Sequence, residues 1–124
     1  MRNYTTQMDA ARQGIITPEM KAVAAKEYRT EEEILDLVAK GQIAICANRL
    51  HTCIDPNGVG SMLRTKINVN LGVSRDCKDY DIEIQKVMAA VDMGAEAIMD
   101  LSSHGNTQPF RQKLTAECPA MIGT

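Results

Sequence analysis

The spacing of apolar and polar positions divides the chain into a helical first part and a second part in which strands and helices alternate. In residues 1–45, three threonines each precede a short stretch with helical spacing: Thr6, Thr17 and Thr30. A threonine before the first turn typically caps a helix. We therefore predict three helices, which end near Gly14, Lys26 and Gly41, and a short strand within residues 42–47.

Two of these helix starts match the capping-box pattern, in which an acid three positions after the cap binds back to the backbone of the cap. Asp9 follows Thr6 at this spacing, and Glu33 follows Thr30. We expect reciprocal hydrogen bonds at both helix starts.

Residues 48–63 are rich in residue types that favour turns. They include Pro56 and the run Asn57-Gly58-Val59-Gly60-Ser61. Clusters of this composition are typical of loops. We predict a loop, which completes a helical and loop region over residues 1–63.

Residues 64–124 predict an alternation of strands and helices. Apolar runs indicate strands at 65–71, 95–101 and 120–123, and helices are predicted to begin after Asp79 and near Thr107. The connections are long enough for crossover helices, so we expect the three strands to be parallel. The order β-α-β-α-β indicates an α/β fold.

One face of the first of these strands is polar, and its residues alternate with apolar ones: Lys66, Asn68 and Asn70. Alternate side chains share a face, so Ile67 and its apolar neighbours are expected to pack against the covering helices. Asparagine is a poor strand former, and two at alternate positions favour a ligand site over an exposed edge strand.

The second strand ends in polar residues, from Asp100 through Ser102 and His104 to Asn106. Loops at the carboxyl ends of parallel strands commonly hold ligands, and a phosphate would fit at the helix start that follows. The alternative is structural: Asp100 and Ser102 bind local backbone groups, Asn106 caps the helix and His104 faces solvent.

Composition excludes several classes of partner. The chain has 14 basic and 16 acidic residues and only four aromatic ones, a balance that favours neither nucleic acid nor a membrane surface. No apolar run is long enough to span a membrane, and residues 1–14 do not resemble a signal peptide, so we expect a cytoplasmic protein.

Four cysteines lack the paired C-x-x-C spacing of a metal site, and we expect each to be a buried structural thiol: Cys46, Cys53, Cys77 and Cys118. His51 lies two positions before Cys53. That spacing gives little support for a nucleophile pair, because such a pair is defined by contact in space.

Six ordered segments resemble successive signatures of the ThiC family, the phosphomethylpyrimidine synthases of thiamine biosynthesis. They are residues 6–8 (TQM), 11–20 (ARQGIITPEM), 46–48 (CAN), 66–72 (KINVNLG), 94–102 (GAEAIMDLS) and 122–124 (IGT). The resemblance covers nearly the whole chain.

The resemblance implies a radical S-adenosylmethionine (SAM) lyase that converts aminoimidazole ribotide to hydroxymethylpyrimidine phosphate. Its cofactors would be a 4Fe-4S cluster and SAM, and its state a homodimer. By resemblance Asn70 and Met99 contact the ribotide, with Asn68 a nearby candidate, and no catalytic residue or metal ligand lies in this segment. The family's cluster cysteines form a triplet that none of the four cysteines matches.

The family fold is a (β/α)8 barrel, which requires about 250 residues. We therefore expect residues 64–124 to form its first βαβαβ part and the chain to be an inactive N-terminal fragment.

Two alternatives stay open. Departures from the family pattern at residues 49–51 and 102–105 are compatible with the related hydroxybenzimidazole synthases of anaerobic cobamide biosynthesis. A truncated, non-catalytic binding or assembly module is the other alternative.

Overall fold

The computed structural model describes residues 3–124, which form two compact units. The first unit contains residues 3–47 and 56–65, and the second contains residues 48–55 and 66–124. No helix in the described part of the chain has the length and apolar character needed to cross a bilayer.

The first unit contains three helices: α1 (Gln7–Arg12), α2 (Pro18–Glu27) and α3 (Glu31–Ala39). Their N-caps are the predicted threonines, and each hydroxyl accepts a hydrogen bond from the backbone N–H three positions ahead. The predicted helix starts are confirmed because capping depends on residues within one turn.

The two predicted capping boxes have different outcomes. Glu33 accepts from the backbone N–H of Thr30 at 2.9 Å, so the box at α3 is complete. At α1, the Asp9 carboxylate instead accepts from the backbone N–H of Thr5 at 2.9 Å, and the predicted reciprocal bond to Thr6 was wrong. The capping-box pattern specifies glutamate or glutamine at this position, and the aspartate side chain is one methylene shorter.

A two-stranded antiparallel sheet follows the helices. Strand β1 (Ile43–Cys46) pairs with β2 (Asn57–Gly60), so the predicted uninterrupted loop over residues 48–63 was wrong. A Cβ at Gly58 would lie 2.9 Å from Cγ1 of Val23, and one at Gly60 would overlap the carbonyl oxygen of Gln42. Close packing against a backbone oxygen requires glycine at position 60, whereas a side chain at position 58 would have to displace the Val23 side chain. Glycine is depleted in strands generally.

The core of the first unit lies between the three helices and β1. Its buried apolar residues are Ala10, Ala11, Met20, Val23, Ala24, Ile34, Val38 and Ile43.

The second unit confirms the predicted parallel β-α-β-α-β order. It contains β3 (Asn68–Leu71), α4 (Tyr80–Asp92), β4 (Ala97–Asp100), α5 (Gln108–Glu117) and β5 (Met121–Gly123). The three strands form one parallel sheet in the order β3-β4-β5. The chain is therefore a mixed α/β protein with two small sheets.

The helix-facing side of the second sheet is apolar. Its buried core comprises Leu71, Val87, Ile98, Phe110, Leu114, Cys118 and Ala120. Val69 packs against this core, but Ile67 lies before the first residue of β3 and is 59% exposed, so its predicted burial was wrong. Ile67, Val69 and Met93 line an open apolar groove of about 440 Å³ between β3 and α4.

Candidate functional site

Three residues form a row across the parallel sheet near the carboxyl ends of its strands. Asn70 of β3 is opposite Met99 of β4, which is opposite Gly123 of β5. Residues in register on neighbouring strands project from the same face of a sheet. The sheet therefore brings Asn70 and Met99, both predicted site residues, together on one face.

Asn68, the third predicted site residue, contacts Asn70 directly. Its Nδ2 donates a hydrogen bond to Oδ1 of Asn70 at 3.1 Å, and both side chains are exposed. This contact uses one of the two lone pairs of the Asn70 oxygen and directs the Nδ2 group of Asn70 away from Asn68.

The Met99 side chain extends toward β5. A Cβ built on Gly123 would lie 2.8 Å from Cε and 2.9 Å from Sδ of Met99. The end of the methionine thus occupies the space that a side chain on Gly123 would need.

The chain segments that follow β3 and β4 lie unusually close together at Gly72. Gly72 has a φ of +150°, and a Cβ there would lie 2.6 Å from the backbone nitrogen of Ser102. The Ser102 hydroxyl accepts a hydrogen bond from the backbone N–H of Val73 at 3.1 Å. Only glycine fits this contact between two backbones.

Asp100 is a buried carboxylate at the end of β4. Its Oδ1 accepts from the backbone N–H of Ser102 at 2.9 Å, and its Oδ2 accepts from Nε of Arg111 at 2.7 Å. Burial by itself would raise the pKa of Asp100, but hydrogen bonds from Ser102 and Arg111 outweigh it and hold that pKa below its ordinary value. Asp100 thus joins the end of β4 to α5.

A second buried carboxylate supports the end of β3. Glu83 of α4 accepts from the backbone N–H of Gly72 at 3.0 Å and from Nζ of Lys86 at 2.6 Å. The hydrogen bond to Glu83 raises the pKa of Lys86.

Sequence reasoning did not identify Glu83, Arg111 or Gly123. A signal for Glu83 was present, because it lies four positions before the buried Val87 and so occupies the apolar face of α4.

The loop after β4 is held by local contacts. Asp100 and Ser102 bind backbone groups, and Asn106 Oδ1 accepts from the backbone N–H of Gln108 at 3.3 Å. His104 is exposed, and its carbonyl oxygen accepts a hydrogen bond from the Tyr80 hydroxyl at 3.4 Å. These contacts match the structural alternative for Asp100, Ser102 and His104, whereas the N-cap of α5 is Thr107 and not Asn106.

His51 and Cys53 both face the end of α5. Nε2 of His51 lies 2.6 Å from the carbonyl oxygen of Cys118, and Sγ of Cys53 lies 3.4 Å from that oxygen and from the carbonyl oxygen of Thr115. The two side chains therefore bind carbonyls that the last turn of a helix leaves without an intrahelical donor.

The cysteines do not share one environment. Cys118 is buried and Cys53 partly buried, whereas Cys46 and Cys77 are exposed, so their predicted burial was wrong. Burial raises the pKa of the Cys118 thiol. Within residues 3–124, no three histidine, cysteine or carboxylate side chains are grouped to hold a metal ion.

Comparison with known proteins shows to which family the chain is similar. The family model described as the Radical SAM ThiC family matches residues 6–124. A phosphomethylpyrimidine synthase of Clostridium botulinum (strain Hall) is 57% identical over 122 residues, and one of Clostridioides difficile (strain 630) is 58% identical over the same length.

Both alignments cover 98% of this chain and 28% of the relative. The chain therefore spans somewhat more than a quarter of the length of these curated relatives. With the family match extending over almost all of its residues, the chain belongs to the radical SAM ThiC family.

Proposed function

We propose that this chain supplies part of the substrate-binding face of a phosphomethylpyrimidine synthase, which converts aminoimidazole ribotide to hydroxymethylpyrimidine phosphate for thiamine biosynthesis. The observation that carries this proposal is the row Asn70-Met99-Gly123 at the carboxyl end of a parallel sheet. This end of the sheet is where α/β folds bind their ligands. The names of the curated relatives support the pyrimidine product.

The chemistry of the row suits a ribotide. Because Asn68 donates to Oδ1 of Asn70, the Nδ2 group of Asn70 is directed to donate to a ligand nitrogen or oxygen. The Met99 thioether offers a polarizable apolar surface for a flat heterocycle. Asn70 thus supplies a hydrogen bond to the ligand, and Met99 supplies apolar contact area.

The proposal places the second unit in a (β/α)8 barrel. Within the described residues, β3 pairs only with β4, and the groove beside it exposes Ile67 and Met93. A further strand and helix of a barrel would cover this edge and this groove. The exposed asparagine face of β3 would then line the barrel interior.

A 4Fe-4S cluster would supply the reductive cleavage of SAM that generates the radical. Such a cluster is held by cysteine thiolates, and the described residues contain no suitable group of three candidate ligands. We assign no cluster ligand to this chain. The role of residues 3–124 in the proposal is to bind and orient the ribotide.

The remaining parts of the proposal follow from the family resemblance. The enzyme works as a cytoplasmic homodimer, and the 124 residues by themselves do not turn over the ribotide.

Binding of aminoimidazole ribotide to the native-length protein tests the proposal. In isothermal titration calorimetry, we expect Asn70→Ala to weaken binding about tenfold or more, since a hydrogen bond to a ligand is lost. Asn48→Ala is the matched control, because Asn48 is an exposed asparagine of the same unit that lies outside the sheet. Equal affinity of the wild-type and folded Asn70→Ala proteins would remove Asn70 from the site.

A further inference from the structure

The face that carries Asn70 and Met99 has a gap at Gly123, and Met99 fills it. Cε and Sδ of Met99 lie within 3 Å of the position that a Cβ on Gly123 would take. In folded proteins, nonbonded carbon atoms approach closely only to about 3.5–4.0 Å. A side chain at position 123 and the present position of the Met99 thioether are therefore incompatible.

The fold does not require glycine at position 123. Gly123 lies in strand β5 and is not among the glycines with a positive φ. The atoms that a Cβ would meet there belong to the flexible end of a side chain. At Gly72, by contrast, a Cβ would meet the backbone of Leu101 and Ser102.

Glycine at position 72 is therefore required for folding, whereas glycine at position 123 affects only the shape of the candidate site. Alanine at position 72 forces two chain segments apart, whereas alanine at position 123 only moves the Met99 thioether. Methionine has three rotatable bonds and adopts another rotamer at small cost. Its new position changes the shape of the face beside Asn70.

We propose that Gly123 is a specificity-determining residue: its missing side chain keeps the Met99 thioether across β5 and leaves space above Asn70 and Met99 for a flat heterocycle. This inference rests on the proposed function for the identity of the ligand, aminoimidazole ribotide. A side chain at position 123 displaces the thioether from β5 into this space and weakens ribotide binding.

The position of the thioether is measurable without any ligand. In the native-length protein labelled with ¹³C-methyl methionine, the Met99 methyl resonance is the one that Met99→Leu removes. We expect Gly123→Ala to shift this resonance. Ile122→Val is the matched control, because Ile122 is the neighbouring residue of β5 and packs against the core on the opposite face. It should leave the Met99 methyl signal in place.

Ribotide affinity then tests the consequence for the site. We expect Gly123→Ala to weaken ribotide binding about tenfold in the wild-type background. In the Met99→Ala background, Gly123→Ala should change the affinity less than about twofold. The reason is that substitutions at contacting residues have coupled effects on the free energy of binding, whereas the effects of independent substitutions add. Ile122→Val should leave the affinity within about twofold of the wild-type value.

The outcomes distinguish this inference from the proposed function. The inference is wrong if Gly123→Ala leaves the Met99 methyl resonance unshifted, or if the Gly123→Ala protein does not fold. It is also wrong if the wild-type protein binds the ribotide and the Gly123→Ala protein binds it equally well. If the methyl shifts but the wild-type protein does not bind the ribotide, the contact between Gly123 and Met99 stands and the proposed function fails.

Discussion

His51 and Cys118 are joined by a hydrogen bond of 2.6 Å between the imidazole Nε2 and the backbone carbonyl oxygen at the end of α5. The same oxygen lies 3.4 Å from Sγ of Cys53, and the backbone N–H of Asp55 donates to Pro119. Residues 48–55 therefore cap the last turn of α5. His51 and Cys53 therefore both make structural contacts with this helix end.

Replacing His51 tests this capping role. We expect His51→Ala to lower the free energy of unfolding by about 1–3 kcal/mol, because a buried hydrogen bond and its packing are lost. The urea midpoint of the native-length protein measures the effect. Leu50→Ala is the control, since Leu50 is 89% exposed and its replacement should cost less than about 0.5 kcal/mol. A variant of normal stability but without enzymatic turnover would instead indicate a chemical role for His51.

The hydrogen bonds that Asp100 accepts from Ser102 and Arg111 predict a pH-dependent contribution to stability. The folded-state pKa of Asp100 lies below its ordinary value of 3.8, so the folded state binds the proton less readily than the unfolded chain does. The stabilisation is complete above pH 3.8 and is lost as the pH falls through the lower folded-state pKa. We expect Asp100→Asn to cost about 2 kcal/mol at neutral pH and progressively less in acid.

Urea unfolding of both proteins between pH 7 and pH 3 checks this prediction. Asp76→Asn is a control for general charge effects, because Asp76 is exposed. A difference between wild type and Asp100→Asn that grows as the pH falls would contradict the assigned direction.

The close approach at Gly72 predicts a large cost for any side chain there. Gly72→Ala combines an unfavourable φ of +150° with a Cβ 2.6 Å from the backbone nitrogen of Ser102. Gly94→Ala isolates the first effect, since Gly94 has a φ of +94° and open space around its Cβ position.

We expect Gly94→Ala to cost about 1–2 kcal/mol and Gly72→Ala at least about 2 kcal/mol more. Thermal unfolding monitored by circular dichroism measures both. Equal costs would show that the two chain segments separate easily.

Glu83 is expected to stabilise the end of β3 through the Gly72 backbone. Glu83→Ala leaves that half-buried N–H without its acceptor, and we expect a loss of about 1–3 kcal/mol. Lys86→Ala removes the other partner of the same carboxylate and should cost less than Glu83→Ala does, because the Lys86 side chain is mostly exposed to solvent. Denaturant titration of both variants provides the comparison. A loss for Lys86→Ala as large as that for Glu83→Ala would show that the ion pair, rather than the backbone bond, is the stabilising contact.

Helix starts and the parallel order of the second unit were predictable because their causes are local. A threonine cap acts within one turn, and a strand followed by a crossover helix and another strand has one favoured arrangement. The shared polar face of Asn68 and Asn70 follows from the alternation of side chains along a strand. A local rule also predicted that Asp9 accepts a hydrogen bond from the backbone N–H of Thr6. In the structure Asp9 accepts from the backbone N–H of Thr5 instead.

Features that depend on residues far apart in the chain were not predictable in this way. The amino-acid sequence is enough to predict where the helices start, which strands are parallel and that one strand has a polar face. Tertiary structure alone decided that Asn57–Gly60 pairs as a strand, that Glu83 reaches the backbone of Gly72, and that Met99 extends over Gly123. A glycine allows another part of the chain to come close to its backbone, but the glycine itself does not specify which part. The packed chain decides which backbone or side chain lies within contact distance of the glycine.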